Sequence, residues 1–297
     1  MSMACTKPLQ AWRSPAGDIV FYDKGGGDAL ELPCGQCIGC RMDRAKAWSI
    51  RCMHEAAMHD KNCFITLTYN NENLPKHGML EYRDFQLFMK RLRKQAKNVR
   101  FYMCGEYGDK DGRPHFHALL FNWDFPDRVL WKKTGSGERL YRSAILEDLW
   151  RYGYSSVGDV TMKSAGYVAR YVMKKVNGDA AKHHYYAGYD DDTGECLWAP
   201  AEFNRMSLKP GIGQAWFDKY YQDIYPEGKV VLEGGKKVKP PRFYDLKYKA
   251  LDPDKFEEVQ QNRILKALEH RFDNTPERLA VKEEVLKARV KNLVRSI

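Results

Sequence analysis

The segment that most restricts how this chain can fold is Asp109-Lys110-Asp111-Gly112, a turn tetrad between two apolar, aromatic-rich runs at 99–107 and 114–121. Such a turn between such runs reads as an antiparallel hairpin. With the turn centred between Lys110 and Asp111, facing residue numbers sum to 221, which sets Glu106 against His115 and Cys104 against His117. Opposed residues share a sheet face, and so do residues two apart along one strand. Glu106, His115 and His117 are therefore expected on one patch, with Phe116 pointing the other way. Two imidazoles and a carboxylate form an N,N,O donor set with open positions, suited to Mg²⁺ or Mn²⁺ once phosphate oxygens complete the coordination. A register slip of one residue would carry Glu106 to the opposite face, so its place depends on the turn. Strand histidines also occur as ordinary hydrogen-bonded surface residues; the opposed glutamate and a tyrosine helix downstream argue against that here.

That helix is predicted over 164–176. At about 100° per residue, Tyr171 falls about 40° around from Tyr167, Lys174 about 20° to the other side and Lys175 about 80° away. Two phenols and one or two ammonium groups share a face, and Arg170 crowds the same turn. Paired aromatics at this spacing also serve as core packing, but a wholly buried stripe would not accommodate these cations. A phenol with a pKa near 10 is a weak nucleophile at neutral pH. A divalent ion beside it would polarise the scissile phosphate, and a lysine would neutralise the charge that develops. Tyr167, Tyr171, Lys174 and Lys175 are the candidate catalytic residues. Attack on DNA would give a 5′-phosphotyrosyl enzyme and a free 3′-hydroxyl, and rejoining would need no ATP. Two tyrosines permit a second cut while the first still holds an end, as rolling-circle replication of a circular genome requires.

The surrounding pattern is α+β. A strand at 62–69, a helix at 82–96, the hairpin, a helix at 139–150, a strand at 154–162 and the tyrosine helix fit a split β-α-β arrangement, an antiparallel central sheet with helices on it. Residues 1–40 read as irregular and 41–59 as helical; 177–245 shows no assignable pattern, and 254–297 reads as charged helices broken near Asn274 and Pro276. The expected organisation is a Cys-rich region at 1–60, a catalytic core at 61–180, an irregular extension at 181–250 and a charged helical region at 251–297.

A net charge of +10 points to a polyanionic partner. Lys90, Arg91 and Lys94, on the polar face of the 82–96 helix, and Arg170 are candidate DNA contacts, a solvated charged face being the alternative. Trp123, Tyr152 and Tyr154 are candidates for stacking on the bases of single-stranded DNA. No apolar run approaches the ~20 residues that span a bilayer, and the N-terminus lacks the apolar core of a signal peptide. A cytoplasmic protein with no membrane partner is expected. No phosphate-binding Gly-x-x-x-x-Gly-Lys-[Ser/Thr] loop is present, so unwinding and synthesis are expected from the host helicase and DNA polymerase. Eight cysteines are too sparse for a disulfide scaffold. Cys34, Cys37 and Cys40, with Cys5, suit one structural Zn²⁺ held by four thiolates. Cys52 and His54 are alternative fourth ligands; unligated buried cysteines and an iron–sulfur cluster are the competing readings.

The segment from Pro33-Cys34-Gly35-Gln36-Cys37 through Arg51-Cys52-Met53-His54-Glu55 resembles the replication initiators of small single-stranded DNA bacteriophages of the gokushovirus type. So do Phe64-Ile65-Thr66-Leu67-Thr68-Tyr69, Gly105-Glu106-Tyr107-Gly108, Arg113-Pro114-His115-Phe116-His117-Ala118 and the run from Tyr167 to Lys175. The resemblance spans roughly residues 5–176. It implies an endonuclease of the His-hydrophobic-His (HUH) class with an RRM-like catalytic fold. Such a protein nicks the viral strand at the origin in the cytoplasm of the bacterial host, stays attached to the 5′ end, and later cuts and circularises the product. A relaxase or single-strand transposase of the same chemistry, and a non-catalytic zinc-containing nucleic-acid-binding module, are the rival readings.

Overall fold

The computed structural model describes residues 5–22, 27–109, 111–170, 175–176 and 178–291. These fall into two compact units, one taking residues up to 47 and those from 221 onward, the other residues 48–220.

The chain opens with β1 (Leu9–Arg13), β2 (Ile19–Val20) and β3 (Asp28–Leu32), an antiparallel sheet in the order β2-β1-β3. The sequence predicts an irregular region here. The strands are short and mostly solvated, with only Ala11 fully buried, so they carry no hydrophobic alternation to read. Helix α1 (Ile38–Ala56) follows.

Residues 48–220 are built on β4 (Asn62–Tyr69), α2 (Tyr82–Gln95), β5 (Arg100–Tyr107), β6 (Pro114–Phe121), β7 (Val129–Lys133), β8 (Arg139–Arg142), α3 (Ala144–Leu149), β9 (Gly153–Gly158), α4 (Met162–Arg170), α5 (Ala180–His184), β10 (Tyr186–Tyr189), β11 (Cys196–Trp198), β12 (Phe203–Met206) and the start of α6 (Gln214–Ile224). Seven of the strands form one antiparallel sheet, ordered β12-β5-β6-β4-β9-β8-β7. The expected α+β class and antiparallel centre are what the structure has.

Period-two alternation divides the sheet into two faces. Cys63, Ile65, Leu67 and Tyr69 of β4, Met103 of β5 and Phe116, Ala118 and Leu120 of β6 point to one face. There they form the main core with Phe85, Phe88, Met89 and Leu92, the i, i+3, i+4, i+7 stripe of α2, and with Leu146 and Leu149 of α3. The opposite face carries Phe64, Thr66, His115, His117, Tyr102 and Glu106. It is met by α4, whose Tyr167 lies edge-on to Phe64, and by Trp48 of α1, stacked on Tyr102.

Two sequence expectations need correction. Residues 139–150 are not one helix but β8 followed by the short α3, whose start is fixed by Ser143 Oγ accepting from Leu146 N at 3.1 Å. The turn at Thr134-Gly135-Ser136-Gly137, with Gly137 at φ +85°, folds β7 back onto β8. Residues 181–250, expected to be irregular, hold regular elements instead, and β12 among them pairs with β5 as an edge of the main sheet.

Past α6 come β13 (Val230–Val231), β14 (Lys237–Val238), α7 (Arg242–Leu251), α8 (Pro253–Glu269) and α9 (Pro276–Lys291). The expected helical break at Asn274–Pro276 is present: proline has no N–H to continue a helix but suits the first helical position, where it starts α9. Among the described residues no helix is long and apolar enough to cross a membrane.

Candidate active site

The β5–β6 register is the one the turn predicts: Glu106 faces His115 and Cys104 faces His117. Pairing continues across the sheet. Glu106, His115, Thr68 and Tyr154 form one cross-strand row, and Asn204, Cys104, His117, Thr66 and Ser156 the next. The ligand atoms of Glu106, His115 and His117 all lie within 4.8 Å of one another. Glu106 Oε1 sits 2.8 Å from His115 Nε2 and 3.0 Å from His117 Nε2.

Neighbouring groups orient both rings. His115 Nδ1 is 2.9 Å from the Arg113 carbonyl, which only accepts, so the ring proton belongs on Nδ1 and the Nε2 lone pair turns toward Glu106. His117 Nδ1 is 2.9 Å from Thr66 Oγ1, and Phe64 stacks on its ring at 5.5 Å. Glu106 is buried, which by itself pushes its carboxyl up; the two imidazoles outweigh that and hold it at about 2. A carboxylate oxygen wedged between two imidazole nitrogens, each braced from behind, is a donor set that a divalent cation satisfies. The arrangement fits Mg²⁺ or Mn²⁺. Access runs by way of His115, whose side chain is 15% exposed against 5% for His117.

Tyr167 completes the constellation. Its hydroxyl lies 3.5 Å from His117 Nε2, and the two rings meet edge-on with centroids 4.9 Å apart. Helix α4 is placed by a reciprocal cap, Ser164 N donating to Thr161 Oγ1 at 3.1 Å and Thr161 N to Ser164 Oγ at 2.8 Å. Near its other end Asn204 Nδ2 donates to the carbonyls of Val168 and Met103, both at 3.2 Å, tying the helix to the sheet beside the site. Tyr171 and Lys174 lie outside the described residues; Lys175 is exposed.

In the other unit the sulfurs of Cys5, Cys34, Cys37 and Cys40 lie within 4.8 Å of one another, so geometry selects Cys5 as the fourth member. Cys5 Sγ is 3.6 Å from Cys34 Sγ and 3.7 Å from Cys37 Sγ, far beyond a disulfide bond. Sulfurs about 2.3 Å from a tetrahedral Zn²⁺ stand about 3.8 Å apart. The N–H groups of Thr6, Cys34, Gln36, Cys37 and Cys40 all donate to these sulfurs, at 3.2–3.5 Å. Burial pushes the Cys37 thiol up, but the hydrogen bonds from Thr6 and Cys40 prevail and bring it to about 6, while burial and its sulfur neighbours raise Cys40. The site is built for thiolates, and it fits zinc.

A profile of the family described as replication-associated protein ORF2 matches residues 62–176, the stretch that holds both His115 and Tyr167. Across almost the whole chain, the sequence is 36% identical to replication-associated protein VP4 of Bdellovibrio phage phiMH2K, over 280 residues that cover 90% of this chain and 84% of that one. The chain belongs to the family of phage replication-associated proteins. It is also 31% identical to replication-associated protein ORF4 of Chlamydia phage 1, covering 84% of this chain and 62% of the relative. To replication-associated protein ORF2 of Spiroplasma virus 4 it is 29% identical, with 86% and 83% covered. No solved structure matches.

In this replication-associated protein the remaining candidates separate. Lys90, Arg91 and Lys94 lie on α2, across the sheet from the histidines. Arg91 is committed to structure, donating to the Leu149 carbonyl at 2.9 Å, while Lys90 and Lys94 are exposed. Arg170 ends α4, the helix of Tyr167. Trp123 and Tyr152 pack against the core on the α2 face, but Tyr154 is 63% exposed and stands in the row of His115. Sequence reasoning missed Thr66, Phe64 and Asn204. The alternation of 62–69 held a signal for the first two, since it sets Thr66 and Phe64 on one face; nothing local announced Asn204.

Proposed function

We propose that this protein initiates rolling-circle replication by cutting and rejoining one DNA strand at the viral origin through a tyrosine. The observation that carries the reading is the Tyr167 hydroxyl 3.5 Å from His117 Nε2, beside a carboxylate–histidine–histidine donor set. A divalent ion held by Glu106, His115 and His117 supplies, when bound, polarisation of a non-bridging phosphate oxygen. The protein's own part follows from its side chains. Tyr167 Oη bonds to phosphorus as the P–O3′ bond breaks, and the proton lost by the phenol is matched by the one gained at the departing 3′ oxygen. The product is a 5′-phosphotyrosyl enzyme with a free 3′-hydroxyl, and the reverse reaction with another 3′ end seals a circle. Tyr171 is the second nucleophile, and Lys174, Lys175 and Arg170 balance charge at the phosphate. Residues 61–180 make the catalytic core, and the cysteine knuckle at 1–60 binds Zn²⁺ as a structural clip. The work is done in the host cytoplasm, with host helicase and polymerase.

Incubation with an origin oligonucleotide and Mn²⁺, followed by denaturing electrophoresis, tests this. A covalent adduct that Tyr167→Phe reduces and Tyr167→Phe with Tyr171→Phe abolishes is the expected result. A protein that binds the oligonucleotide but leaves no adduct is the non-catalytic module instead.

A further inference from the structure

Strand β7 is an anomaly in the sheet. All five of its residues, Val129, Leu130, Trp131, Lys132 and Lys133, are exposed, although three are large apolar side chains. Val129 is 69% exposed, and Leu130 and Trp131 51% each. A strand this apolar that buries nothing within its own fold marks a contact surface. The hairpin's charge says what kind. From 129 to 142 it carries Lys132, Lys133, Arg139 and Arg142 against one acid, Glu138, which is held at 2.8 Å by Lys163. Lys132 Nζ sits 4.1 Å from the Trp131 ring centroid and the Arg142 guanidinium 5.4 Å from it, so an open indole face is flanked by cations. A stacking platform with phosphate-binding groups beside it is what a single strand of nucleic acid requires. The β7–β8 bulge between Leu130 and Lys132 frees Trp131 from regular pairing.

The hairpin also connects to the site. A groove lined by Arg139, Lys163, Gly158 and Phe64 leads in from β8, and Phe64 is the ring that stacks on His117. Gly158 leaves its floor open, since a Cβ there would meet Phe64 at 3.3 Å. From β7 to β6 is four strand spacings, roughly 19 Å, well within the footprint of a single-strand-binding module.

We infer that the β7–β8 hairpin is a single-stranded DNA grip, with Trp131 stacking on a base and Lys132 and Lys133 holding phosphates of the strand that continues toward His117. This rests on the proposed DNA-cutting reading but concerns binding alone. The test is fluorescence anisotropy of the full-length protein with a labelled oligothymidylate of about 20 nucleotides, longer than one single-strand site. Trp131→Ala should weaken binding at least about fivefold, and Trp131→Phe should retain most of it. Lys132→Ala with Lys133→Ala should make the log–log salt dependence shallower by about 1.4, two phosphate contacts on a single strand. Thermal midpoint and Mn²⁺ affinity should stay at wild-type values, as the hairpin packs on neither core nor site. Unchanged binding by Trp131→Ala overturns the inference, and so does a change in oligomeric mass at constant DNA affinity, which would make the strand a protein interface. Wild-type protein that binds no single strand overturns it as well. Hairpin-dependent binding without an adduct upholds the grip and refutes the cutting reaction; an adduct from hairpin variants that bind normally does the reverse.

Discussion

Replacing Thr66 with Val removes one hydroxyl and leaves the shape of β4 intact. It deletes the partner of His117 Nδ1, 2.9 Å away, and frees the imidazole to turn. Groups that brace a metal ligand from behind govern affinity nearly as strongly as the ligands do, so Thr66→Val should weaken Mn²⁺ binding about tenfold or more. Calorimetric titration with Mn²⁺ measures this, and an unchanged affinity would show that His117 needs no such brace. A second residue reports on folding rather than chemistry. His54 is buried and stacked on Trp216 with centroids 3.5 Å apart, and burial lowers its pKa from 6.5 to about 4. As the pH falls, the unfolded chain takes up this proton before the folded one does. The stability it contributes is therefore complete above about pH 6.5 and is lost as the pH falls toward about 4, a change on the order of 3 kcal/mol. His54→Phe should flatten the decline of the thermal midpoint across that interval. Parallel declines in variant and wild type would contradict the assignment.

Among the elements, α2 gives the clearest functional prediction. Its stripe of Phe85, Phe88, Met89 and Leu92 faces the core across the sheet from Glu106 and the histidines. Lys90→Ala with Lys94→Ala should thus leave the rate of adduct formation at saturating DNA unchanged, while weakening any loose, salt-sensitive association. A lowered single-turnover rate at saturation would place those lysines on the reacting strand. The elements also show what could be read from sequence and why. The β5–β6 hairpin was legible to the residue because a short turn fixes register locally, and α2 because its apolar stripe is periodic. The hairpin of β7 and β8 was hidden because β7 packs on nothing and shows no alternation; its turn at 134–137 and the cap at Ser143 were the overlooked signals. Strand β12 was invisible in principle, as its pairing with β5 joins residues about a hundred positions apart, and Asn204 came into the site with it.

At the scale of the whole molecule, the cysteine knuckle and the catalytic sheet belong to different compact units, so their metals should be separable. Denaturing the purified protein in the presence of a zinc-reporting chelator should release a single ion per chain, and Cys37→Ser should release none. Chelation under native conditions should lower the thermal midpoint, since zinc binding to such a site is folding free energy. Four thiols that react freely in the native protein would contradict the zinc assignment. The central claim is narrower: the Tyr167 phenol and the Glu106–His115–His117 cluster act on one phosphodiester. Mass spectrometry of the protein after a single turnover on Mn²⁺ and an origin oligonucleotide addresses it directly. A peptide carrying a 5′-phosphate on Tyr167 or Tyr171, lost in the double phenylalanine variant and in His115→Ala, is the predicted result. A nucleotide linked to any other residue, or an undiminished yield from the double variant, would contradict it.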